Sequence, residues 1–210
     1  MKRLYIPFIW ELVLIISTII WEKQSFYFFF VFYVGLVAYF YFINKQFSFR
    51  ELRSNFNDVK AFWIPVTVTV AAMLLAYRLQ ELIIGSLYTE YYDSIVHIPI
   101  RNELAPLLFN CLMCMIIKPF AEGLFYRQAI ILFDSKKKTV LLTIVSLMLC
   151  AVTMAHGPVG ISTFVIMALP VTIVYLITKN IYVSVMAHFL FEFYNTGYET
   201  VYTLARLYYR

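Results

Sequence analysis

Six polar side chains stand apart from a chain that is otherwise mostly hydrocarbon: Glu122, Arg127, His156, His188, Glu192 and Asn195. On a helix at about 100° per residue, His188, Glu192 and Asn195 (i, i+4, i+7) fall in one narrow stripe. A glutamate with two histidines and a further carboxylate or amide can activate a water and bind the oxyanion that forms when that water attacks a carbonyl. The same types can bind zinc, for which Glu122, His156 and His188 are the candidate ligands. Such groups are costly in hydrocarbon, so each must face protein or water.

The rest of the chain has to place them in a membrane. Of 210 residues, 62% are hydrophobic and 14% charged, too much apolar surface for a soluble domain of this size. The reading is an all-α, polytopic integral membrane bundle of about seven transmembrane helices, on the rule of about 20 apolar residues per span. The expected spans are 4–21, 25–43, 61–77, 104–133, 139–156, 160–178 and 181–198. The first apolar run follows Met-Lys-Arg as a signal peptide would. It is long, however, lacks an A-x-A-like site and is soon followed by another span, so it reads as a retained helix. The net charge of +5 resides mainly in short loops, where it sets orientation and meets anionic lipid, and no nucleic-acid partner is implied. Basic residues in 44–60 and at Lys136–Lys138 place those loops and the N-terminus in the cytoplasm of a multi-pass cell-membrane protein. The acidic 78–103 connection falls outside, lying on the interface as a short helix, with His97 as a surface histidine.

The fourth span holds Lys118-Pro119-Phe120-Ala121-Glu122-Gly123-Leu124-Phe125-Tyr126-Arg127-Gln128. Pro119 lacks an amide hydrogen and predicts a kink or break. Glu11, in the first span, is expected to pair with a neighbouring helix. Cys111, Cys114 and Cys150 all lie in spans and read as structural thiols.

These residues, in this order, resemble the CAAX protease and bacteriocin-processing family (CPBP, also called Abi) of intramembrane proteases. That family's first motif is a proline, two residues, then E-E-x-x-x-R with an aromatic before the Arg. Pro119, Glu122, Tyr126 and Arg127 fit it, with Gly123 in place of the second Glu. The second motif centres on a histidine, matched by His156, although Val152 replaces the usual Phe. The third, H-x-x-x-N, is matched by His188 with Glu192 at the Asn position. The resemblance implies N-terminal helices and loops at 1–101, a catalytic core at 102–195 and a tail at 196–210. It further implies that Glu122 and His156 activate water and that His188 holds the oxyanion, with Glu192 and Arg127 in the site. Phe125, Tyr126 and Asn195 are the expected substrate contacts.

The implied activity is hydrolysis of a peptide bond in a hydrophobic or membrane-anchored peptide or protein. The alternative is a catalytically impaired scaffold that regulates a partner or confers bacteriocin immunity. A transporter is disfavoured, because the polar residues form a cluster rather than a path. Metal dependence and oligomeric state stay open. Two further expectations concern the gap at Gly123. Glu192 is expected to reach Arg127 and supply the missing carboxylate, and Lys118 either to pair with Glu122 or to snorkel away. Depth adds a tension. At 1.5 Å per residue, Glu122 and His188 lie roughly 18 and 12 Å from the cytoplasmic ends of their spans but His156 roughly 26 Å, so the motif requires the fifth span to tilt or to begin deeper.

Overall fold

The protein is described from a computed structural model covering residues 4–208. Apolar runs of span length become helices because only a helix satisfies every backbone group internally in lipid. α1 (Tyr5–Ile20) and α2 (Ser25–Ala38) form a hairpin across a short 3₁₀ turn, Glu22–Gln24. A polar stretch follows, with the short helix α3 (Phe49–Asn55) capped by the Ser48 hydroxyl, which accepts from the Glu51 amide. The next helices are α4 (Ile64–Ser86), α5 (Tyr88–Tyr92), α6 (Leu104–Leu112), α7 (Lys118–Glu122), α8 (Lys136–Met154), α9 (Pro158–Thr178) and α10 (Ile181–Tyr208).

Among the described residues, five continuous helical stretches are long and apolar enough to cross a bilayer: Glu22–Ile43, Val59–Ser86, Leu104–Ala129, Lys136–Met154 and Pro158–Thr178. α1 is apolar but shorter, at 16 residues. α10 is 28 residues long and carries His188, Glu192, Glu199 and Arg206 among its apolar residues. Together these make the expected helical membrane bundle. The boundaries differ most at two C-terminal ends: the seventh span continues ten residues past Tyr198 to Tyr208, through the expected tail, and the third continues nine past Tyr77 to Ser86. There Arg78 pairs with Glu81 one turn on (2.7 Å), so the helix persists beyond its apolar stretch. The Leu82–Ile84 cluster, expected in an interfacial helix, is therefore the end of α4.

α4, α8, α9 and α10 pack side by side, and the Leu104–Ala129 stretch runs against α10 on one side and α2 on the other. The loop after α5 is pinned onto the turn between α8 and α9. The Ser94 carbonyl accepts from the His156 and Gly157 amides (2.8 and 3.1 Å), and its hydroxyl accepts from the Gly160 amide (2.7 Å). Gly160 has no side chain for a reason: a Cβ there would lie 2.8 Å from both the Ser94 carbonyl oxygen and the Ala155 Cβ.

Candidate active site

The charged stretch of Leu104–Ala129 is not a regular α-helix. Two π-helical segments, Met113–Ile117 and Gly123–Ala129, flank the single α-turn of α7. Pro119 sits in the first turn of α7, directly after the first wide segment, where the missing amide hydrogen costs least. The widening also changes which residues share a face. Five residues apart on a regular helix, Glu122 and Arg127 would point about 140° apart. The i→i+5 bonding of a π turn brings them towards one line, and both line the same internal cavity.

That cavity, about 260 Å³, lies between α4, α7, α8, α9 and α10. Glu122, Arg127, His188, Glu192 and Asn195 all line it, so five of the six residues singled out by type and spacing converge. The Glu122 carboxylate accepts a long hydrogen bond from the Tyr33 hydroxyl (3.4 Å) and stands 3.8 Å from Nδ1 of His188. Nε2 of the same imidazole is 3.5 Å from Glu192, one turn further along α10. Glu192 also receives the Lys118 ammonium at 3.5 Å and a hydrogen bond from the Thr196 hydroxyl at 2.6 Å. Glu122, His188, Glu192 and Lys118 thus form one row of alternating acid and base, from one turn of α7 and one turn of α10. All but Lys118 are buried.

Three expectations are corrected here. Glu192 does not serve Arg127; it pairs with Lys118, which therefore neither pairs with Glu122 nor snorkels away. Nε and Nη1 of Arg127 are buried without a hydrogen-bond partner. His156 does not reach the cavity. α8 ends at Met154, and His156 lies beyond it, exposed, in the turn held by Ser94, where it lines a separate cleft together with His97. α8 instead delivers Cys150 and Met154, the Met154 sulfur standing 3.7 Å from the Tyr33 hydroxyl as an alternative acceptor to Glu122. Because His156 stands apart, the candidate zinc ligands Glu122, His156 and His188 do not converge. Among the described residues no group of three or more His, Cys, Asp or Glu side chains is placed to hold a metal ion.

Phe125 and Tyr126 are core residues rather than substrate contacts. Phe125 is fully buried against Phe8 and Phe40, at ring-centroid distances of 5.6 and 6.1 Å. The Tyr126 hydroxyl donates to Glu11 (2.9 Å), which also accepts from Thr153 (2.8 Å), so the Glu11 carboxylate ties α1 to the charged stretch and to α8. The gap in the first motif has a packing cause. A Cβ on Gly123 would lie 2.5 Å from Cγ2 of the buried Val185, so α10 occupies the space a second glutamate would need.

Sequence reasoning missed Tyr33 and Met154. Both belong to types that fill membrane cores, and neither carries a charge that would mark it out. Cys114 and Cys150 also line the cavity as free thiols.

Residues 104–194 match the family model described as Type II CAAX prenyl endopeptidase Rce1-like. The match runs from the start of α6 to the residue before Asn195, and so contains the whole acid–base row. It is consistent with the CAAX protease and bacteriocin-processing family read from the motifs, and supports an intramembrane protease of that type at the family level. No curated protein and no solved structure matches the chain.

Proposed function

We propose that this protein is an intramembrane peptidase in which Glu122 and His188 divide the acid–base work, acting on a hydrophobic or membrane-anchored peptide. The observation that carries the reading is their approach on the wall of one cavity, the carboxylate 3.8 Å from the imidazole. A cavity of about 260 Å³ has room for several waters at about 30 Å³ each, and its wall is polar enough to hold them. Glu122 takes the proton from a water between itself and the scissile carbonyl. His188, oriented from its other nitrogen by Glu192, gives a proton to the developing oxyanion or the departing amine. Lys118 holds Glu192 in that orientation. In this scheme His156 takes no part. The distribution of basic loops favours a cell-membrane protein with its N-terminus in the cytoplasm.

A second reading is favoured by one specific observation: from the α8 side Met154, rather than His156, faces the Tyr33–Glu122 pair. On that reading the cavity binds its peptide without cutting it and regulates a partner, or confers immunity, by occupancy. Comparative peptidomics of membranes carrying wild-type, Glu122→Gln, His188→Gln and His156→Ala proteins separates the two. The peptidase reading expects a product that vanishes with Glu122→Gln and His188→Gln and persists with His156→Ala. A set of peptides identical across all four, where the protein still exerts its cellular effect, sinks it.

A further inference from the structure

The acid–base cavity is shut at one end of the bundle and open at the other. Where α9 finishes and α10 begins, the 44–55 loop is bound across the helices. The Ser48 amide donates to the Tyr182 hydroxyl (3.1 Å), that hydroxyl donates to Glu51 (2.7 Å), and the Asn180 side-chain amide donates to Asn55 (2.6 Å). Gln128 donates to the Gln46 carbonyl (3.2 Å), and the Phe47 ring packs on Phe120 and Tyr182 at 5.0 and 5.3 Å. Ile181, Tyr182, Val183, Ser184 and Val185, which open α10, are all buried. Counted at 1.5 Å per residue from this end of each helix, Val171 and His188 stand about 10 Å in, whereas Phe164, Asn195, Gln80 and Met154 stand about 21–27 Å in. Exposure follows the same gradient: Val171, His188 and Phe191 are buried, and Tyr77, Gln80, Phe164 and Asn195 are half-buried. The far end also presents the side-chain amides of Gln80 and Asn195, groups suited to a mouth that meets water and costly at one that meets hydrocarbon.

The closed end carries the basic 44–60 and Lys136–Lys138 loops, which the positive-inside rule assigns to the cytoplasm. We propose that the cavity opens to the extracytoplasmic face, between α4, α9 and α10, and takes a peptide presented there after export. The inference deepens the peptidase reading by naming the side from which the substrate comes, and it rests on that reading for the occupant being a peptide. The class of reaction that supplies such a substrate is translocation across the same membrane. The water consumed in hydrolysis enters by the same mouth, and the 44–55 loop keeps cytoplasmic peptides out.

The test uses the full-length protein in right-side-out and inside-out membrane vesicles. Gln80→Cys and Asn195→Cys, each in an otherwise wild-type chain, are treated with a membrane-impermeant cationic methanethiosulfonate, and the adduct is located by peptide mass spectrometry. Lys137→Cys marks the cytoplasmic side. Both mouth cysteines are expected to react faster in right-side-out vesicles by an order of magnitude or more, and Lys137→Cys in inside-out ones, because hydrocarbon bars the charged reagent. If neither mouth variant inserts, adduct formation at the native Cys114, a wall residue of the cavity, decides on the wild-type protein. Faster reaction of the mouth in inside-out vesicles overturns the inference. So does reaction from neither side, which means a mouth opening into lipid, and so does Lys137→Cys labelled from outside, which reverses the orientation. Outer-face labelling without any Glu122-dependent product keeps the opening and removes the peptidase reading, whereas a Glu122-dependent product with labelling only from the cytoplasmic side does the reverse.

Discussion

Adding one methyl group at Gly123 tests how the site came to lack its second acid. The new Cβ of Gly123→Ala lies 2.5 Å from Cγ2 of Val185, whereas carbon atoms rest at about 3.5–4.0 Å, so α10 or the wide turn must give by about 1 Å. Val185 is 3% exposed and β-branched, with little rotamer freedom to yield. Overpacking of this kind costs about 1–3 kcal/mol, against about 1 kcal/mol gained by replacing a helical glycine with alanine. The net expectation is a loss of about 0–2 kcal/mol, or a fall of up to about 8 °C in Tm at about 2–4 °C per kcal/mol for a chain of this length. The sharper measurement is the cycle with Val185→Ala, followed by thermal unfolding in detergent. The double variant is expected to be more stable than the sum of the two single losses by about 1–2 kcal/mol, because each change makes room for the other. Additive losses, or a Gly123→Ala protein more stable than wild type by the full helix-propensity gain, would refute the packing explanation. By the same reasoning Gly123→Glu, which restores the family's paired acids, lowers Tm further instead of repairing the site.

The Lys118–Glu192 pair lies at 18% and 10% side-chain exposure, so removing one partner strands a largely buried charge. Lys118→Met alone is expected to cost about 2–4 kcal/mol and the double change with Glu192→Gln markedly less; additive losses in thermal unfolding would show that the pair is not coupled. At the α8–α9 turn, Gly160→Ala drives a methyl onto the Ser94 carbonyl oxygen and the Ala155 Cβ, neither of which is a flexible chain end. A loss of about 2 kcal/mol and faster proteolysis of the 93–103 loop are expected, and unchanged proteolysis would show that the loop is not pinned there.

The helical bundle was legible from composition because hydrocarbon leaves a chain few alternatives. Five of the six singled-out polar residues were legible for the same reason, since the cost of a charge at depth leaves few benign explanations. His156 was misplaced by motif spacing, although the rise per residue already pointed the other way: roughly 26 Å was too deep a count to meet Glu122. The turn that holds it depends on Ser94, some sixty residues earlier, a pairing that no local pattern announces. The Glu192–Arg127 pair was inferred from one acid vanishing as another appeared. Helix registry decided otherwise, because it brings the ammonium of Lys118, one turn before Glu122, to 3.5 Å from the Glu192 carboxylate. Phe125 and Tyr126 looked like site residues by their neighbourhood in the motif. The π turn that brings Glu122 and Arg127 to one face leaves these two among core contacts, and π turns have no reliable mark in sequence.

The Glu11 carboxylate has a consequence for how the molecule is made. Its two hydroxyl partners, Tyr126 and Thr153, follow it in the chain by 115 and 142 residues. At a synthesis rate of about 5–20 residues per second, α1 waits on the order of 10 s before either can arrive. During that interval a lone acid sits in a 16-residue apolar helix, a poor candidate for stable residence in lipid. α1 must therefore linger at the insertion machinery, or at the headgroup level, until the charged stretch and α8 have emerged. A helix made before its partners is thus among the last to settle, and its docking reports that the later helices have reached their places.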